Sequence, residues 1–239
     1  MGQKQTKEEL FSSIRAWFCS VHEKRSYNTL RFPMTNRLLL LIYPIFIVCM
    51  AELNQDKYPS KLVLFIADHP TIMLFNVLIA ALIFIGALLL FRSGWFSMLL
   101  ESILYMALSI TELFKYNTNG NHLIMTDMKL VRSLKSLTSF AYIKITPRLV
   151  LYLVICIAFI LLAFWFNPRL KMRVKLRKRL VPGLACLIAC VMVVTVPAIS
   201  QPVYALFQVD TKEADNTFIL NEKFENNGFL AFFMQTGSE

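Results

Sequence analysis

Apolar and polar positions along this chain fall into long blocks. Apolar runs occupy Leu38 to Leu53, Thr71 to Phe91, Trp95 to Phe114, Leu149 to Phe166 and Leu180 to Val203. A hydrocarbon core of about 30 Å needs roughly 20 helical residues to cross it. The blocks therefore predict five membrane-spanning helices. The first is short and contains Pro44, so a kink is predicted there. Arg92-Ser93-Gly94 leaves room only for a tight turn, which makes spans two and three an antiparallel hairpin. Asp68-His69-Pro70 reads as a helix start, with a carboxylate beside the free N–H groups and proline in the first turn.

The polar connections carry helical periodicity of their own. In Lys7–Lys24, Leu10, Phe11, Ile14, Trp17, Phe18 and Val21 recur on one face. This helix suits the cytoplasmic leaflet, or packing against another soluble element. Lys61–Ile66 is a short apolar piece, and Asn117–Asn121 is a turn cluster. Thr126 or Asp127 can cap a second amphipathic helix that reaches about Tyr142. Met128, Val131, Leu134 and Leu137 line one flank of it, and Lys129, Arg132 and Lys135 the other. After Val203 the chain turns polar, and it becomes apolar again from Gly228 to Gln235, as in an interfacial helix. The expected fold is all-α: a polytopic membrane protein with five transmembrane helices plus interfacial amphipathic helices. Residues 1–37 form a cytoplasmic arm, 38–203 the membrane domain and 204–239 an extracytoplasmic linker.

Charge sets the orientation. Asn167 to Arg179 carries Arg169, Lys171, Arg173, Lys175, Arg177, Lys178 and Arg179, with no acid. Short basic loops beside spans stay on the cytoplasmic side. The arm adds Lys4, Lys7, Arg15, Lys24, Arg25, Arg31 and Arg37, so both signals agree with an inside N-terminus. By alternation Asn117–Asn121 and the C-terminal tail are outside. The net charge is +10, on a chain 56% hydrophobic and 17% charged. That excess sits beside apolar spans, where anionic headgroups explain it better than nucleic acid does. The outer connection opposes the inside bias, with Lys115, Lys129, Arg132, Lys135, Lys144 and Arg148 against Asp127. Lys129, Arg132 and Lys135, spaced three apart, either gather anionic lipid or form the solvated face of an amphipathic helix.

Chemistry is sparse. Cys19, Cys49, Cys156, Cys186 and Cys190 are odd in number, and they read as small buried apolar residues. His22, His69 and His122 lie in three different segments, without metal-ligand spacing. No phosphate loop, nucleophile elbow or paired-cysteine site is present, so no catalytic residue and no metal ligand is assigned. Glu52, Glu101 and Glu112 lie near membrane depth. Glu101, about two turns into span three, is either functional or a carboxylate pairing with Arg92, Ser97 or Ser102. Asn76 in span two is a candidate for hydrogen bonding between helices.

The order of these parts resembles a known family. The ordered features are an amphipathic start, five spans with a tight turn between two and three, and Asp68-His69-Pro70 before span two. They continue with Thr126-Asp127 in a long outer loop, a basic loop before span five, and Asn-Gly-Phe-Leu-x-Phe-Phe at Asn227–Phe233. Together they resemble the N-terminal membrane region of the lipoteichoic acid synthase and phosphoglycerol transferase family. The resemblance implies a membrane-anchoring module for an enzyme acting on phosphatidylglycerol in cell-envelope polymer synthesis. It also implies a sulfatase-like outer catalytic domain, in cis or in trans, holding a divalent metal such as manganese. None of that domain's motifs stands before Glu239, so this chain alone is expected to be inactive. The competing expectation is an independent small membrane protein, a lipid or solute transporter or an interaction partner.

Overall fold

The computed structural model describes residues 20, 33–55, 59–127, 146–168, 176–212 and 216–237. Among them are eight α-helices: α1 Pro33–Leu53, α2 Pro59–Asp68, α3 Pro70–Phe91, α4 Gly94–Asn119, α5 Pro147–Phe166, α6 Leu176–Thr195, α7 Pro197–Leu206 and α8 Thr217–Gln235. No strand occurs among the described residues. Helices α1, α3, α4, α5 and α6 are long and apolar enough to cross a membrane. The protein is an all-α, multi-pass membrane protein. Leu41, Val63, Leu161 and Val181 are exposed on its flanks, as lipid-facing residues are.

Prolines and glycines set the boundaries. α1 starts at Pro33, earlier than the apolar run, and continues through Pro44. Neighbouring helices let a spanning segment keep such a proline. α4 runs on to Asn119, and the expected turn cluster is its cap. Gly120 takes φ +69°, and its N–H donates to the Tyr116 carbonyl at 2.8 Å. The fifth apolar run breaks at Val196, which is extended at φ −108°, ψ 102°, before Pro197 starts α7. Proline lacks the N–H that would continue α6 and forces the residue before it out of the helical region. Asp68 ends α2 and does not cap α3; His69 is the junction and makes no side-chain cap bond.

α3 is the central helix and packs against α1, α2, α4, α6 and α8. Gly86 of α3 and Gly183 of α6 face each other. A Cβ on Gly86 would lie 3.1 Å from the Gly183 carbonyl, so these backbones approach closely. At one end of the bundle, Arg92 closes α3 in the left-handed conformation, and the Gly94 N–H donates to the Pro168 carbonyl at 2.8 Å. The tight turn therefore touches the start of the basic loop. Arg169, Lys171, Arg173 and Lys175 of that loop, and the side chain of Arg177, lie outside the described residues. Lys178 is exposed. Arg179 is buried, with Nη1 donating to the Leu89 carbonyl at 3.3 Å, so it caps packing at the end of α3. The amphipathic helix expected at Lys7–Lys24, apart from Ser20, and the stripe Lys129, Arg132 and Lys135 also fall outside the described residues.

The linker expected over 204–239 needs correction. Residues Thr217–Gln235 form α8, which packs against α1 and α3. Asn216 caps it, its side chain accepting the Ile219 N–H at 2.9 Å. The helix is interrupted at Gly228, φ 70°, ψ 175°, and restarts at once. Phe229, Leu230, Phe232, Phe233 and Met234 are then buried in the main core. Buried Glu52 of α1 accepts the Phe229 N–H at 2.7 Å. A carboxylate there meets free N–H groups at the new helix start, where negative charge is favoured. Asn227 clamps the preceding segment, accepting the Asp210 N–H at 2.7 Å and donating to the Asp210 carbonyl at 2.8 Å.

Candidate functional site

At the end opposite Arg92, α1, α2, α4, the 120–127 segment and α8 converge. Between them lies a cavity of about 540 Å³. α4 contributes Glu112, Tyr116 and Asn117 to its lining, α2 contributes Lys61 and Asp68, and α8 contributes Asn221, Glu225 and Asn226. Gln55, His69 and His122 complete the polar set.

The floor is preorganised. Glu112 is buried, with Oε1 2.5 Å from His122 Nδ1, while Oε2 accepts the Leu123 N–H. The His122 ring stacks on Phe224 at 3.6 Å between centroids and on Tyr116 at 4.7 Å, so it is held from both faces. Lys115 donates to the His122 carbonyl at 2.6 Å and to Asp127 Oδ2 at 2.6 Å. Asp127 Oδ2 also accepts the Ile124 N–H at 2.8 Å. Asp127 thus ties a short turn together. The α1–α4 wall is closed by Ser109, whose hydroxyl donates to the Ala51 carbonyl at 2.9 Å and accepts from Gln55 at 2.8 Å.

The rim differs from the floor. Lys61 and Asp68 are exposed, and His69 is half-buried with its ring tilted on Phe65 at 5.6 Å. Lys61 forms no ion pair among the described residues. The cavity thus combines a cation at the mouth with side-chain amides on α4 and α8. Amides can bond hydroxyls, and Lys61 shares the lining with the carboxylates of Asp68, Glu112 and Glu225. Among the described residues no group of three or more His, Cys, Asp or Glu is arranged to hold a metal ion.

The two intramembrane candidates from the sequence lie elsewhere. Glu101 is buried on α4, and neither oxygen has a hydrogen-bond partner, so it bonds neither Ser97 nor Ser102 and, among the described residues, pairs with no arginine. Ser97 donates to the Ser93 carbonyl at 3.0 Å, and Ser102 lies 2.9 Å from the Tyr43 hydroxyl. Asn76 is fully buried, and neither its oxygen nor its nitrogen has a partner. The expected Asn76 hydrogen bond between helices is therefore absent. Tyr43 supplies one instead, donating to the Met98 carbonyl at 2.7 Å. Tyr43, Ser109 and the Glu112–His122 pair are the residues missed from the sequence. One signal for them was present: Glu101, Tyr105, Ser109, Glu112 and Tyr116 recur in steps of four, four, three and four, a polar stripe along one helix face.

The arrangement defines a helical multi-pass membrane bundle with a polar cavity at one end. Comparison with family models, with curated proteins and with solved structures finds no match for the chain.

Proposed function

We propose that this chain is the membrane module of a phosphoglycerol transferase-like system, holding an anionic phospholipid headgroup at the outer face of a cell membrane. The observation that carries the reading is the polar cavity at the bundle end opposite the basic loop. With Asn167–Arg179 and the N-terminal arm inside, that end faces out. Lys61 meets the phosphate, while Asn117, Asn221 and Asn226 bond the glycerol hydroxyls. The stripe Lys129, Arg132 and Lys135 follows directly after Asp127 and enriches phosphatidylglycerol nearby. Transfer chemistry comes from an extracytoplasmic domain, in cis or in trans, which supplies the nucleophile and the divalent metal. The residues of this chain bind and orient.

Orientation is checked by single cysteines at Asn119 and Lys178 in a background without the native cysteines. An impermeant maleimide labels position 119 on intact cells and position 178 only after lysis. The reverse pattern rejects the reading.

Headgroup binding is checked by lipid analysis of the purified protein. Lys61→Glu lowers co-purifying phosphatidylglycerol about fivefold, since a cation near an anionic surface contributes on the order of 1 kcal/mol. Charge reversal of Lys129, Arg132 and Lys135 together lowers it further, and both losses shrink with added salt. Unchanged lipid content in both variants, with folding intact, leaves a transporter or an interaction partner as the better account.

A further inference from the structure

A second polar cluster lies inside the bundle, away from the cavity. Glu101 and Tyr105 sit one turn apart on the inward face of α4 and are each 2% exposed. Tyr43 of α1, fully buried, donates to the Met98 carbonyl and lies 2.9 Å from Ser102 Oγ. Glu101 acts electrostatically on Tyr43 of α1, Tyr105 of α4 and Cys190 of α6. Both Glu101 oxygens and the Tyr105 hydroxyl are buried without a hydrogen-bond partner.

Buried polar atoms in folded proteins almost always have a partner, and three orphans in one cluster need a common explanation. A carboxylate in an apolar bundle needs a compensating positive charge. The groups facing it are Tyr43, Tyr105, Cys156 beside Tyr43, and Cys190; no lysine, arginine or histidine is bonded to it among the described residues. The oxygen-rich set suits a small hard cation. One carboxylate balances one positive charge, which favours a monovalent cation over a divalent one.

We infer that Glu101, Tyr105 and the Tyr43–Ser102 pair form an intramembrane site for one monovalent cation. Sodium ion and the proton share this chemistry. Either fills the site by neutralising Glu101, and sodium in addition takes lone pairs from Tyr105, Tyr43 and Ser102. Glu52 and Glu112, the other buried spanning-helix carboxylates, already accept backbone N–H bonds from Phe229 and Leu123, which sets Glu101 apart.

The test is thermal unfolding of the purified full chain in detergent, with sodium chloride exchanged for choline chloride at constant ionic strength, at about pH 6 and about pH 9. A sodium site raises the melting temperature of the wild type with sodium at the higher pH, and Glu101→Gln abolishes that response. A proton site makes the wild type less stable as pH rises, whatever the sodium concentration. Glu101→Gln, permanently neutral, loses the part of that pH dependence due to Glu101. Tyr105→Phe keeps the packing and covers the case in which Glu101→Gln fails to fold; it weakens the sodium response while leaving a folded protein. Wild type and variants that respond identically to sodium and to pH overturn the inference, and Glu101 is then a permanently neutral packing residue.

Discussion

Gly228→Ala lowers the melting temperature of the purified protein by several degrees and releases the end of α8. The residue sits at φ 70°, ψ 175°, a conformation essentially confined to glycine. Forcing alanine into it costs about 1–3 kcal/mol. The new Cβ would also stand 2.8 Å from Glu52 Oε1 and 2.9 Å from Phe65 Cζ. Neither neighbour yields freely, because Glu52 and Phe65 are both buried. If Glu52 moves, the Phe229 N–H loses its acceptor and a buried charge loses a hydrogen bond, worth about 1.5–3 kcal/mol. The sum is a large share of the roughly 5–15 kcal/mol that holds a domain together. Limited proteolysis after Lys223 rises with it, since that residue is buried in the packed segment. Glu52→Gln is the milder partner: its amide oxygen still accepts, so its effect is smaller. A Gly228→Ala protein that melts and resists protease like the wild type refutes this account of α8.

The second large effect lies at the α3–α6 crossing. Gly86→Leu and Gly183→Leu each push the two helices apart. A Cβ on Gly86 already meets Leu187 at 3.0 Å and the Gly183 carbonyl at 3.1 Å. A Cβ on Gly183 meets Leu90 at 3.2 Å and the Gly86 carbonyl at 3.3 Å. Alanine needs a few tenths of an ångström from a leucine side chain and from the facing backbone carbonyl, whereas leucine has nowhere to go between two backbones. Overpacking of this kind costs typically about 1–3 kcal/mol. Here the damage is at the high end, because α6 has its main contact with α3. The expected result is a lower melting temperature and a larger aggregated fraction on gel filtration, with each alanine variant falling between its leucine variant and the wild type. A Gly86→Leu protein that elutes and melts normally shows that the helices are not held at this spacing.

Glycine enters both arguments through space as well as backbone freedom. The sequence displays Gly86, Gly183 and Gly228 inside apolar stretches, but not what stands opposite them. Gly228 was legible as part of an apolar octet, and the octet was read as interfacial. Within it the Phe229 N–H donates to Glu52, 177 residues earlier in the chain. The cavity was equally hidden. His69 and His122 looked unrelated because they belong to different segments, yet both line the same space. Glu101 and Asn76 stand out in the sequence as polar residues in apolar runs, but in the fold neither has a hydrogen-bond partner.

The sequence by itself determined the number of apolar helices, the hairpin at Arg92–Gly94, the start of α3 at Pro70 and its successor's stop at Gly120. These are local properties: hydropathy summed over about 20 residues, a missing N–H, a backbone free to take positive φ. Only the tertiary structure decided which face of α4 turns inward, that Val196 interrupts the last run in space, and that α8 docks into the core. In a membrane both the interior and the surrounding lipid are apolar, so hydrophobicity cannot say which side of a spanning helix is buried. That choice falls to the few polar side chains and the small residues. Their partners lie far off in sequence, and they are fixed only when the helices pack.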